Sequence, residues 1–158
     1  SNHPTGEDGE MTYALATTED SHLAFAPAYQ DDAIVMHIPV SHIDANKTLC
    51  FEVGLMATNE NSPNKWTAEY SIDNGNWAEF ETNPTISISS GNKGKGVYTK
   101  ANQVLKTEIN NAILNIRLRA DGAGTVVVEK PKAENRTMRL LFHKDNKASA
   151  GGPKIYIK

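Results

Sequence analysis

The chain has 158 residues, 39% of them hydrophobic, with 16 Lys and Arg against 19 Asp and Glu, a size that supports one core enclosed between two sheets. The near balance of charge excludes electrostatically driven nucleic-acid binding, which needs a clustered basic excess. No apolar run approaches the about 20 residues of a membrane-spanning helix, and Cys50 stands alone, so no intramolecular disulfide forms.

Residues 1–10 are polar, hold Pro4, Gly6 and Gly9 and lack periodicity, the composition of a solvated leader or linker, with Ser1-Asn2 in the manner of a tag scar. Residues 11–158 read as a single β-sandwich domain. Its strand candidates run from Met11 to Thr17, His22 to Pro27, Ala33 to Val40 and Thr48 to Ala57. They continue from Trp66 to Ile72, Trp77 to Phe80, Thr85 to Ser89, Gly96 to Thr99 and Val104 to Lys106. The last four are Ile113 to Ala120, Thr125 to Glu129, Thr137 to His143 and Lys154 to Ile157. Turn-forming pairs and clusters separate them, among them Asp31-Asp32, Asp44-Ala45-Asn46, Asp121-Gly122 and Gly151-Gly152-Pro153. Only Lys106 to Leu114 has the composition for a helical turn. A chain that ends on a strand is expected to be a piece of a longer protein.

Many short strands with this spacing predict an all-β, antiparallel, two-sheet sandwich of jelly-roll type. Five strands alternate apolar and polar residues, which predicts solvated outer faces. Leu49, Phe51, Val53 and Leu55 point inward, as do Leu114, Ile116 and Leu118, and so do Trp66, Ala68, Tyr70 and Ile72. Ile34, Met36, Ile38 and Val40 join them and leave His37 outside; Met138, Leu140 and Phe142 leave Arg139 and His143 outside. Between the two tryptophans, Asp73-Asn74-Gly75 reads as a tight hairpin turn, with Asn74-Gly75 supplying its positive-φ positions.

Two ligand-binding surfaces are compatible with this pattern. One is an end-of-sandwich site around Trp77, Tyr98 and Asn76, where an exposed ring would stack on a sugar and turn amides would bond its hydroxyls. The other is a sheet-face site of Glu69, Arg117, Arg119 and Arg139, whose planar forks and carboxylate bond hydroxyls in pairs. Trp66 falls on the core face and Cys50 in a strand, so both read as packing. His3, His22, His37, His42 and His143 are scattered, without metal-ligand spacing. No cofactor is expected, with a structural calcium on Asp31, Asp32 or Asp121 the one alternative. Gly91 to Gly96 lacks the Lys-Ser/Thr of a phosphate loop, and no nucleophile elbow occurs, so the expectation is a protein that is not an enzyme.

The segments Lys47 to Val53, Trp66 to Trp77, Leu114 to Ala120 and Lys154 to Ile157, with their Tyr-Ser…Asp…Gly…Trp hairpin and Ile-Arg-Leu-Arg strand, are similar to galactose-binding-domain-like jelly rolls. In particular they resemble the β-sandwich modules of secreted and lipid-anchored Bacteroidetes surface proteins. The resemblance implies an extracellular or cell-surface location and a non-catalytic, carbohydrate-binding-type role. It transfers no ligand residue. The alternative is a structural or protein-interaction spacer of a larger surface protein, whose partners are neighbouring domains rather than glycans.

Overall fold

The computed structural model describes residues 14–15, 22–25, 33–57, 65–87, 97–120, 138–141 and 153–158. These form two antiparallel sheets packed as a β-sandwich, without a helix among the described residues. The first sheet contains β1 (Ala14–Leu15), β2 (His22–Phe25), β4 (Thr48–Ala57), β8 (Val97–Val104), β10 (Met138–Leu141) and β11 (Lys154–Ile157). Their order is β1-β2-β10-β4-β11, with β8 also pairing β4. The second contains β3 (Ala33–Ile43), β5 (Lys65–Ile72), β6 (Ala78–Glu79), β7 (Thr85–Ser87) and β9 (Ile109–Ala120). It runs β3-β9-β5-β6, with β7 also on β5.

The inner faces follow the period-2 pattern. Leu49, Phe51, Val53 and Leu55 from one sheet meet Trp66, Ala68, Ile116 and Leu118 from the other, all fully buried. Phe80, just beyond β6, lies 6.0 Å from Phe51 and edge-on to Tyr70 at 5.5 Å, the offset geometries that ring quadrupoles favour. Cys50 is a buried free thiol, as expected.

Four expectations are corrected. The segment Lys106 to Leu114 makes no helical turn: β9 begins at Ile109 and pairs with β3 as far as Ile43, because Asn111 takes a left-handed φ of 45° within the ladder, a conformation Asn tolerates. The two expected strands Gly96 to Thr99 and Val104 to Lys106 are not separate: Gly96 lies outside the described residues, and Val97 through Val104 form one strand, β8, which ends before Leu105. Its centre carries Ala101 and Gln103 inward, opposite Phe51 and Leu49. Gln103 is satisfied there by accepting from the Glu81 N–H and donating to the Val104 carbonyl, both at 3.0 Å.

The hairpin after β5 is not a tight two-residue one. The turn at Asp73-Asn74 does form, closed by a Gly75 N–H to Ile72 carbonyl bond of 2.8 Å, but Tyr70 pairs with Ala78, and residues 73–77 lie between the end of β5 and the start of β6. Asp73, at φ 51°, takes the positive-φ position. Gly75 is required because a Cβ there would sit 2.9 Å from the Ile72 oxygen. Last, the outer face of β5 is not solvated: Thr67, Glu69 and Ser71 are all buried. The expected strand Thr125 to Glu129, the leader and Asp31, Asp32 and Asp121 lie outside the described residues.

Between β3 and β4 the chain turns at Ala45-Asn46, with Asn46 at φ 65°. Beside this turn His42 bonds Asn110 Oδ1 through Nδ1 at 2.5 Å and Asp44 Oδ1 through Nε2 at 2.7 Å. With acceptors on both ring nitrogens the imidazolium is favoured, so the Asn110 bond, then Asp44, raises the His42 pKa above 6.5. A raised folded-state value contributes stability that is complete below about 6.5 and lost as pH rises through the folded pKa. An NMR titration is expected to place the His42 midpoint above that of a peptide histidine and to show it fall in Asp44→Asn. An unchanged midpoint in that variant would remove Asp44 as a cause.

Candidate functional site

The outer face of the β3-β9-β5 sheet carries a polar arrangement that register alone brings together. In one row, Val35, Arg117, Glu69 and Glu79 lie side by side across four strands. In the next row are His37, Asn115 and Ser71, and beyond the end of β5 the Asp73 N–H bonds the Ile113 carbonyl at 2.7 Å. Directly paired antiparallel residues project to the same side, so both rows share one surface.

Glu69 anchors the first row. Arg117 Nε donates to its Oε2 at 2.5 Å, while Arg119 reaches it from the row behind, with Nε 3.2 Å from both oxygens and Nη2 at 3.1 Å. The Glu69 side chain is 8% exposed and the two arginines 22% and 18%, so these charge-assisted bonds are largely shielded from water. The Arg117 guanidinium in turn lies 4.2 Å from the Trp77 ring centroid, within cation–π range. The five-residue loop is what permits this contact. Trp77 stands one residue before β6, off the ladder, so its ring is free to lie over the sheet.

In the second row Asn115 is buried and saturated. Its Nδ2 donates to the Asp73 carbonyl at 2.7 Å and to Ser71 Oγ at 3.2 Å, and its Oδ1 lies 2.6 Å from His37 Nδ1. Asp73 Oδ1 accepts the Ile113 N–H at 2.8 Å. Above this network opens a cleft of about 600 Å³, its floor formed by His37, Ser71 and Asn115, its sides by Asp73, Asn74 and Gly75 of the turn and by Trp77 and Ile113. Ile113 is 38% exposed, an apolar flank opposite a polar floor. A few convergent polar groups beside aromatic and apolar walls is the usual make-up of a small-molecule site.

The expected site residues thus divide. Glu69, Arg117 and Arg119 share one cluster, and Trp77 touches it, so residues assigned to two alternative surfaces are neighbours on one. Asn76 is an exposed member of the same loop. Tyr98 does not join them: it lies in β8 of the other sheet, opposite Gly54. Arg139 does not either, since β10 places it in the other sheet, in register with Ala24 and Met56; the likeness of its strand to β9 in alternation says nothing about which sheet it enters. That second sheet has a smaller charged cluster of its own, where Lys100 Nζ lies 3.1 Å from Glu52 and, with a Tyr156 bond, holds the Glu52 carboxyl below its ordinary pKa.

Ser71, Ile113 and Asn115 line the cleft without having been candidates, together with His37 of the polar face and Asp73 of the turn. Alternation put His37, Ser71 and Asn115 on polar faces, but only the pairing of β9 with both β3 and β5 sets them in one row. Among the described residues no group of three His, Cys, Asp or Glu is arranged to hold a metal, and no helix is long and apolar enough to cross a membrane. No family model matches the chain, and no curated protein matches it in sequence.

Proposed function

We propose that this domain is a non-catalytic carbohydrate-binding module of jelly-roll type, of the kind carried by secreted or surface-anchored proteins, and that its ligand occupies the cleft beside Trp77. The observation that carries the reading is the pairing of a polar floor, ordered by its own hydrogen bonds, with an aromatic wall braced from behind. Sugars present hydroxyls on ring edges and C–H groups on ring faces, and a site for them needs polar groups and an apolar plane correctly placed relative to each other. The Glu69-Arg117-Trp77 stack fixes the plane; the hydrogen bonds of Asn115 fix the floor. Such preorganisation lowers the ordering cost of binding. Affinity for a single sugar unit is expected to be weak and to rise with multivalent glycans.

The test is a glycan array and polysaccharide-retardation screen, run with calcium and with chelator. Trp77→Ala is expected to weaken retained binding by at least about tenfold while leaving the melting transition in place. Because Trp66 is fully buried, a change in indole emission on adding a bound glycan would come from Trp77. Retention unaffected by Trp77→Ala would remove the cleft from the reading.

The spacer reading draws its support from the other sheet, where β11 exposes Tyr156 and Ile157 at 43% and 39%. Solvent-facing apolar residues on a short strand suit contact with a neighbouring domain. Silence of the glycan screen together with loss of a domain contact in Tyr156→Ser would favour it.

A further inference from the structure

We infer that the cleft selects uncharged, hydroxyl-rich sugars over acidic ones, because its fixed hydrogen-bond polarity offers acceptors and one negative charge; this rests on the carbohydrate reading above. The polarity comes from a chain of forced assignments. The Asp73 carbonyl can only accept, so the Asn115 atom 2.7 Å from it is the amide nitrogen, and the opposite atom, facing His37, is the amide oxygen. That oxygen can only accept, so the proton of the neutral His37 imidazole lies on Nδ1. Its Nε2 is then a lone-pair acceptor, with no partner of its own among the described residues. Asn115 thereby acts as a positioning residue that sets the tautomer of its neighbour.

The rest of the lining adds a negative charge and a few neutral donors. Asp73 gives Oδ1 to the Ile113 N–H, and its carboxylate retains accepting capacity and no hydrogen to donate. Ser71 accepts from Asn115 and keeps one hydroxyl hydrogen. Asn74 presents a turn amide of both polarities, and Trp77 an indole N–H. Among the described residues no Lys or Arg lines the cleft, and Asp73 carries the one formal charge of that lining. Arg117, which lies against Trp77, and Arg119 are both bound to Glu69, with Glu79 next to Glu69 across the β5-β6 ladder. A ligand hydroxyl can donate to His37 Nε2 and to Asp73. A ligand carboxylate or sulfate can do neither, and it meets the Asp73 charge.

The decisive experiment compares retardation by neutral galactan, mannan, xylan and glucan with that by polygalacturonate, hyaluronate and heparin, for the wild type and Asp73→Asn. Asn tolerates the positive φ of position 73 and can still accept the Ile113 N–H, so the turn is preserved. The wild type is expected to bind at least one neutral polymer and no acidic one. Asp73→Asn is expected to weaken that binding by about tenfold, the scale of a lost charge-assisted hydrogen bond. An acidic polymer retained as strongly as any neutral one overturns the selectivity while leaving carbohydrate binding intact. So does full retention of a neutral polymer by Asp73→Asn. Silence toward both classes overturns the carbohydrate reading itself, and the inference with it. A ligand-free measurement covers loss of fold in the variant: imidazole ¹⁵N shifts of the wild type should show His37 protonated on Nδ1 at neutral pH, and an Nε2–H tautomer overturns the inference.

Discussion

Glu69→Ala is expected to cost about 3 kcal/mol of folding stability, the lower end of the loss when one partner of a buried ion pair is removed. The carboxylate is held by both Arg117 and Arg119. Alanine would leave two guanidinium groups facing each other across a vacancy on a face where Thr67 and Ser71 are also buried. The arginines keep about a fifth of their side-chain area in solvent, so they can turn outward and recover part of their hydration, which sets the cost low in the range. Urea unfolding of Glu69→Ala beside Glu69→Gln separates charge from shape, since Gln preserves the volume and one accepting oxygen. A double-mutant cycle with Arg117→Ala should show coupling above about 1 kcal/mol, the upper end for exposed pairs. A total loss below that figure would mean the cluster behaves as an ordinary surface salt bridge.

The same variant has a consequence at the cleft. Arg117 is placed under Trp77 by its bond to Glu69, and without that bond the guanidinium gains rotamers and the ring loses its support. Glycan binding should therefore weaken in Glu69→Ala even though Glu69 does not line the cleft. Acrylamide quenching of the indole emission should increase, because Trp66 is buried and contributes little. On the proposed reading, stability and binding would be coupled through this single side chain.

Sheet membership was the part of the architecture that local pattern could not supply. Period-2 alternation is a property of one strand and it placed Leu114, Ile116 and Leu118, or Leu49 and Phe51, on the inner faces found for them. It treated Arg117 and Arg139 alike, although β9 and β10 belong to opposite sheets. It also missed strands whose inward residues are weakly apolar, as with Ala101 and Gln103 in β8. The burial of Glu69 was illegible for a similar reason: a polar residue on an outer face reads as solvated until its two arginines, 48 and 50 residues away, fold over it. The site had one local signal, the Asp73-Asn74-Gly75 turn beside Trp77. The rest, His37 against Asn115 and Asn115 against Ser71, is separated by 78 and 44 residues, and only register joins such pairs.

Asn115→Leu is the second variant with a large expected effect, and it acts on floor and fold together. Leucine has asparagine's branched outline but bulkier methyl groups in place of atoms that sit 2.6–3.2 Å from their partners, so the neighbours must give way slightly as the hydrogen bonds are lost. Three are removed at once: those to His37 Nδ1, Ser71 Oγ and the Asp73 carbonyl. Ser71 is 3% exposed, so its oxygen loses a donor with little access to water, whereas His37 is exposed and Asp73 lies in an exposed turn, where water replaces more of what is lost. A buried group left unsatisfied costs about 1–3 kcal/mol and a solvated one far less, which puts the total near 2–3 kcal/mol. The His37 proton, no longer fixed on Nδ1, should redistribute toward Nε2, and the ring should then present a donor where the wild type presents an acceptor. Glycan affinity would fall for that reason, in a protein that still folds and in which Trp77 still rests on Arg117. Chemical denaturation and imidazole ¹⁵N shifts report the two effects separately. A stability change below about 0.5 kcal/mol, the range of ordinary surface substitutions, with His37 unchanged in tautomer, would show that Asn115 positions nothing.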